Sequence, residues 1–178
     1  FRLTEGQQQA FRDIEDDMEG LVPMNRLVQG DVGSGKTAVA ALALAKIVEN
    51  GYQGALMAPT EVLAGQHYET FRHFYEGLPI RVAYLSGNTK TSERHEILKQ
   101  LAAGDIDVLI GTHALIEKDV IFAHLGLVIT DEQHRFGVKQ RKALETKGGS
   151  PHILVTSRLA TRSMSCGNSA AFMLETVF

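Results

Sequence analysis

From Arg26 onward, apolar segments of strand length alternate with longer stretches in which apolar and polar positions recur at helical spacing. The short runs are RLVQ (26–29), GALMA (54–58), IRVAYLS (80–86), DVLIG (107–111), LGLVIT (125–130) and HILVT (152–156). Such alternation predicts βαβ units and a parallel sheet. Several runs are apolar at successive positions, as at Leu127, Val128 and Ile129, which suits strands covered by helices on both faces. The expected fold is α/β, a three-layer sandwich with a mostly parallel sheet.

Between the first run and the helical pattern after it lies a glycine-rich turn, in the stretch LVQGDVGSGKTAVAALALAKIV from Leu27 to Val48. Gly30, Gly35, Lys36 and Thr37 match G-x-x-x-x-G-K-[ST] without a gap, in the strand-to-helix setting that the motif requires. Glycines at 30, 33 and 35 let the backbone curl so that its N–H groups face inward, and the helix start adds partial positive charge at the same point. The cradle expected for a nucleotide's phosphate chain is therefore Gly30, Asp31, Val32, Gly33, Ser34, Gly35, Lys36 and Thr37. Lys36 reaches the β and γ phosphates as a point charge, and Thr37 offers its hydroxyl to Mg²⁺. Asn50-Gly51 is the expected end of the helix. Kinases, GTPases, transporters and nucleic-acid motors all use such a loop, so it fixes a ligand without fixing an outcome.

The run Leu125 to Thr130 ends in Asp131-Glu132. Beside a phosphate loop, an acid at the end of a buried strand holds the Mg²⁺ shell, and an adjacent Glu orients and deprotonates the attacking water. Asp131 and Glu132 fit those roles and, with Lys36, form the expected catalytic set. A kinase passing the γ-phosphate to a bound acceptor has little use for a water-activating Glu, so the pair favours hydrolysis.

Composition narrows the setting. A chain of 178 residues, 44% hydrophobic, is enough for one well-filled core and too short for two of ordinary size. Lys plus Arg is 18 and Asp plus Glu 21, a net charge of 18 − 21 = −3, so no broad positive field holds a polyanion and any nucleic-acid contact is local. The longest apolar run, Ala38 to Ala45, falls well short of the roughly 18 residues that span a bilayer. With no signal-peptide pattern at FRLTEGQQQ, a soluble, cytoplasmic chain is expected. Its start at Phe1 rather than Met suggests a piece of something longer. Cys166 is the single cysteine and receives no role. The seven histidines form no metal frame, since HEILK has Lys99 where a second His would stand.

The DEQH at 131–134 resembles the DExH box of superfamily 2 helicases, and other segments follow the order of that superfamily's motifs. FRLTEGQ is similar to the segment that reads adenine, which implies that task for Gln7. APTEVLAGQH and GTHALI resemble the two motifs that touch the nucleic-acid backbone. The wording of PMNRLVQGDVGSGKT, MAPTEVLAGQH, IGTHALI and DEQHRFGVKQR is similar to the RecG family of bacterial branched-DNA helicases, from Phe1 to about Val155. Its runner-up is the motor of the transcription-repair coupling factor, which shares PM-RL, GDVG-GKT and RFGV. The resemblance implies a RecA-like P-loop NTPase lobe, with residues 1–155 the helicase ATP-binding domain and 156–178 a divergent tail.

The same resemblance implies an ATP-dependent helicase acting on branched or single-stranded DNA in repair and recombination. It further implies a second RecA-like lobe and a DNA-binding wedge domain, for which this chain has no room, so the isolated chain is expected to lack full activity. Thr60 and Thr112 are chemically suited to donate to phosphates without base selectivity, or else they cap loops. His113 is a phosphate contact by analogy or a plain loop histidine. Gln133 and His134 link the nucleotide site to the strand-binding face in the family, and the alternative for His134 is a solvated helix start. Arg135, Lys139, Arg141 and Lys142 form a small basic cluster that either contacts DNA or is a solvated face.

The chain departs from the family after HILVT. Where the family reads close to T-A-T-P-I-P-R-T, this chain reads TSRLATRS, so only Thr156 and Arg162 keep their places. The remainder, MSCGNSAAFMLETVF, carries no helicase motif. A nucleotide-binding module without turnover therefore stands beside the helicase reading, with a small-molecule kinase a distant third.

Overall fold

The computed structural model describes residues 3–30, 33–131, 142–144 and 146–158, together with the backbone of residues 173–176. Among the described residues, seven strands form one sheet: β1 (Asn25–Gly30), β2 (Gln53–Met57), β3 (Val82–Leu85), β4 (Val108–Gly111), β5 (Leu125–Asp131), β6 (His152–Arg158) and β7 (Met173–Thr176), in the order β3-β4-β2-β5-β6-β1-β7. Every neighbouring pair is parallel except β7, which runs antiparallel to β1 at the edge. The helices are α1 (Glu5–Met18), α2 (Lys36–Glu49), α3 (Glu61–Phe74) and α4 (Thr91–Ala103), with a 3₁₀ turn at His113–Ile116. The six expected strands all form.

The successive apolar residues have a simple physical use. Side chains alternate across a strand, so a doubly apolar run feeds two cores at once. Val28, Leu56, Ile110, Ile129 and Leu154 pack on one face with Ile14 of α1, Val39 and Leu44 of α2, and Phe71 of α3. Their neighbours Leu27, Met57, Leu109, Val128 and Val155 pack on the other face with Leu101 of α4 and Leu115 of the 3₁₀ turn. The result is the expected three-layer sandwich.

Two elements were not foreseen. The helix α1 lies in a polar segment, and its apolar stripe is sparse: Gln7, Ala10 and Ile14 are its buried residues. Thr4 and Gln7 form a capping box, each side chain bonding to the other's backbone N–H, and this sets where the helix begins. Strand β7 lies near the end of the chain, and Arg26 to Gln29 of β1 pair with Met173 to Thr176.

Helix α2 ends as expected, with Asn50 as C-cap and Gly51 in the left-handed region at φ 83°. Helix α3 is tied to α2 by Tyr75, whose hydroxyl donates to the Ala41 carbonyl at 2.7 Å. Burial pushes the Tyr75 hydroxyl pKa well up, so it stays a donor throughout the physiological range. The Phe71 ring sits edge-on to Tyr75 and Phe74, with centroids 5.9 and 6.4 Å away, which completes a stiff aromatic anchor for α3.

Candidate functional site

Parallel α/β sheets bind ligands beyond the carboxyl ends of their strands, because loops converge there with helix N-termini. β1 ends at Gly30 and α2 begins at Lys36, so the glycine turn lies at that edge. Gly33 and Gly35 have φ of 82° and 81°, a left-handed backbone that side chains with Cβ seldom adopt. Gly35 is the N-cap of α2, and among the described residues no side chain caps that end. An uncapped helix start with a glycine cap leaves backbone donors for an anion, which fits a phosphate chain. Asp31 and Val32 lie outside the described residues.

Lys36 folds back over the turn, and its Nζ donates to the Gly30 carbonyl at 2.5 Å and to Ser34 Oγ at 3.3 Å. A Cβ on Gly30 would sit 2.5 Å from Ser34 Oγ, so the glycine allows this close crossing. Lys36, Thr37, Asp131, His67, Gln66 and Thr156 share the wall of a cavity of about 180 Å³. The structure thus brings together four residues named from sequence, Gly33, Lys36, Thr37 and Asp131.

Asp131 ends β5 between β2 and β6 and is gripped at both oxygens. Thr156 Oγ1 of β6 donates to Oδ1 at 2.7 Å, and His67 Nε2 of α3 lies 2.6 Å from Oδ2. The His67 and Asp131 side chains are 16% and 18% exposed. Among the described residues, no group of three or more His, Cys, Asp or Glu is placed to hold a metal. Mg²⁺ needs no such cage: it keeps most of its waters and takes one or two protein oxygens beside substrate phosphates, and the hydroxyl of Thr37 and the carboxylate of Asp131 are groups of that kind. These residues fit the cation and the nucleotide. His67 was missed in the sequence, although it closes the quoted segment APTEVLAGQH and lies two helical turns after Thr60. Glu132, Gln133 and His134 lie outside the described residues, as do Arg135, Lys139, Arg141 and Arg162.

Gln7 docks α1 onto the turn. Its Oε1 accepts from the Thr4 N–H at 2.9 Å, and its Nε2 donates to the Ser34 carbonyl at 2.7 Å. Only 7% of the residue is exposed. A Cβ on Gly35 would lie 2.0 Å from Gln7 Nε2, so this glycine makes room for the amide as well as for the loop conformation.

Thr60 and Thr112 follow the ends of β2 and β4, which are adjacent strands. Thr60 is the N-cap of α3, and its Oγ1 accepts from the Leu63 N–H at 3.3 Å. Thr112 precedes the 3₁₀ turn in extended backbone without a side-chain capping bond, and is 8% exposed. His113 opens that turn and is exposed. Among the described residues no helix is long and apolar enough to cross a membrane.

Comparison with known proteins bears on the family and the fold. The family model described as DEAD/DEAH box helicase matches residues 4–169. The chain is 55% identical over 154 residues to the ATP-dependent DNA helicase RecG of Bacillus subtilis, covering 86% of this chain and 23% of that protein. It is 54% identical over 157 residues to RecG of Thermotoga maritima, covering 88% and 20%. The chain therefore spans about a fifth of the length of these curated relatives. Among solved structures it is similar to RecG bound to a three-way DNA junction, with a TM-score of 0.79 at 50% identity, over 88% of this chain and 21% of that one. The UvsW helicase of bacteriophage T4 matches with a TM-score of 0.65 at 15% identity, over 88% of this chain and 52% of that one, a likeness of fold alone.

Proposed function

The chain belongs to the DEAD/DEAH box helicase family, and from that premise we propose that it is the first, nucleotide-holding motor lobe of an ATP-driven DNA helicase of the RecG type. The whole protein would remodel branched DNA, such as replication forks and recombination junctions, during repair and recombination. The observation that carries this reading is the meeting of Lys36, Thr37 and Asp131 in one cavity at the carboxyl edge of the sheet. Residues 1–155 are taken as the ATP-binding domain and 156–178 as a tail that contributes β7. Identities of 55% and 54% to RecG chains favour this reading over the motor of the transcription-repair coupling factor.

In this reading the turn from Gly30 to Thr37 cradles the phosphates, and Lys36 leaves its contacts with Gly30 and Ser34 to meet the β and γ oxygens. Thr37 and Asp131 would hold Mg²⁺, whose charge would offset the negative charge of the phosphates. Glu132, next in the chain, orients the attacking water and takes its proton. Gln7 exchanges one of its amide bonds to read adenine. Thr60, Thr112 and His113 face the DNA backbone, and Gln133 and His134 couple the two sites.

In this reading a second RecA-like lobe closes over the nucleotide, and its arginine would add about 10³–10⁵ in rate. For the isolated chain the second reading is nucleotide binding without turnover. The test is forked-DNA-stimulated ATP hydrolysis by the full-length protein carrying Glu132→Gln. Retained binding with turnover abolished is expected, whereas unchanged turnover overturns the role of Glu132.

A further inference from the structure

We infer that His67 is a positioning residue for Asp131, and that through it α3 joins the strand-facing cap at Thr60 to the carboxylate of the nucleotide site. The inference rests on reading the cavity as a Mg²⁺-nucleotide site and adds to it a link that the DExH box itself does not contain.

An ionised carboxylate only accepts hydrogen bonds, so the 2.6 Å contact places the proton on His67 Nε2, donating to Asp131 Oδ2. Thr156 already donates to the other oxygen. Two donors from different elements, one on each oxygen, orient the plane of the carboxylate about its terminal bond. Thr156 comes from the neighbouring strand, whereas His67 comes from the helix α3.

The imidazole is itself held. It meets the Phe71 ring edge-on with centroids 6.2 Å apart, and Phe71 is fully buried between α3 and the sheet. Tyr75 then ties the same helix to α2, which begins at Lys36. Thr60 lies seven residues before His67, two turns or about 10 Å along the axis and on the same face. A shift of α3 at its Thr60 end is therefore felt at Asp131 Oδ2, with no loop in between to absorb it.

Removing a donor that orients a metal-binding carboxylate typically weakens the metal by about 10–100-fold, and the low end applies because Thr156 remains. The experiment titrates Mg²⁺ into this chain with a fluorescent N-methylanthraniloyl ATP, following anisotropy in wild type, Lys36→Ala, His67→Ala and His67→Gln, with an EDTA arm for metal-free binding. His67→Ala should raise the Mg²⁺ concentration at half-maximal binding by about tenfold and leave the EDTA arm unchanged. His67→Gln should return it to near the wild-type value, since its amide nitrogen donates from a similar reach. Circular dichroism melts check that each variant is folded. An unchanged Mg²⁺ midpoint in His67→Ala overturns the inference, as does equal weakening with and without Mg²⁺, or failure of the glutamine to rescue. Absence of Lys36-dependent binding in the wild type overturns the nucleotide-site reading and this inference together.

Discussion

Gly35→Ala perturbs the turn in two ways that can be separated. The residue sits at φ 81°, and an L-residue held in the left-handed region costs about 1–2 kcal/mol. Its new Cβ would lie 2.0 Å from Gln7 Nε2, the far end of a flexible side chain that can swing away. Swinging away forfeits the 2.7 Å bond to the Ser34 carbonyl, worth about 0.5–1.5 kcal/mol. The single substitution should therefore destabilise the chain by about 2–3 kcal/mol. Gln7→Ala loses that same bond and the 2.9 Å bond from the Thr4 N–H, about 2 kcal/mol together. The Ser34 bond is counted in both, so the double variant should fall short of the sum by about 1 kcal/mol. Urea unfolding of the four proteins, with a common m-value, measures the cycle. Additivity within about 0.3–0.5 kcal/mol would refute the claim that Gly35 is kept small by the docked amide of Gln7.

The remaining predictions concern the frame around the site. His152 Nδ1 accepts from the Met24 N–H at 2.8 Å, and burial holds its pKa below the ordinary 6.5. The folded chain then binds fewer protons than the unfolded one, so stability is full above about pH 7 and is lost as the pH falls through 6.5 toward the folded value. Thermal melts between about pH 7.5 and 5.5 should show this step, and its persistence in His152→Ala would assign it to another group. Tyr75→Phe should destabilise by about 1 kcal/mol in urea, through the lost bond to Ala41, and an unchanged midpoint would remove the hydroxyl from the anchor of α3.

What the sequence made legible follows from how local each signal is. The phosphate turn is a contiguous motif with its own backbone requirements, so Gly30, Gly33, Gly35, Lys36 and Thr37 could be read directly. Strands buried on both faces leave runs of consecutive apolar residues, and the six runs named from them all became strands. Helix α1 was not foreseen because its buried stripe begins with a polar residue, Gln7, whose burial depends on a carbonyl 27 residues away. Strand β7 was not foreseen because its pairing with β1 is long-range and leaves no local signal. The grip of His67 on Asp131 spans 64 residues between two segments read separately, so no spacing rule could find it. Only the packing of α3 against the sheet brings the two together.

The most direct test of the central claim is an equilibrium titration of this chain with the fluorescent ATP analogue and Mg²⁺, with Lys36→Ala alongside. Lys36 stands where the turn, the start of α2 and the Asp131 cavity meet. Saturable binding that Lys36→Ala abolishes is the result expected of a folded nucleotide-holding lobe. Equal binding by both proteins, or none by either, would contradict it.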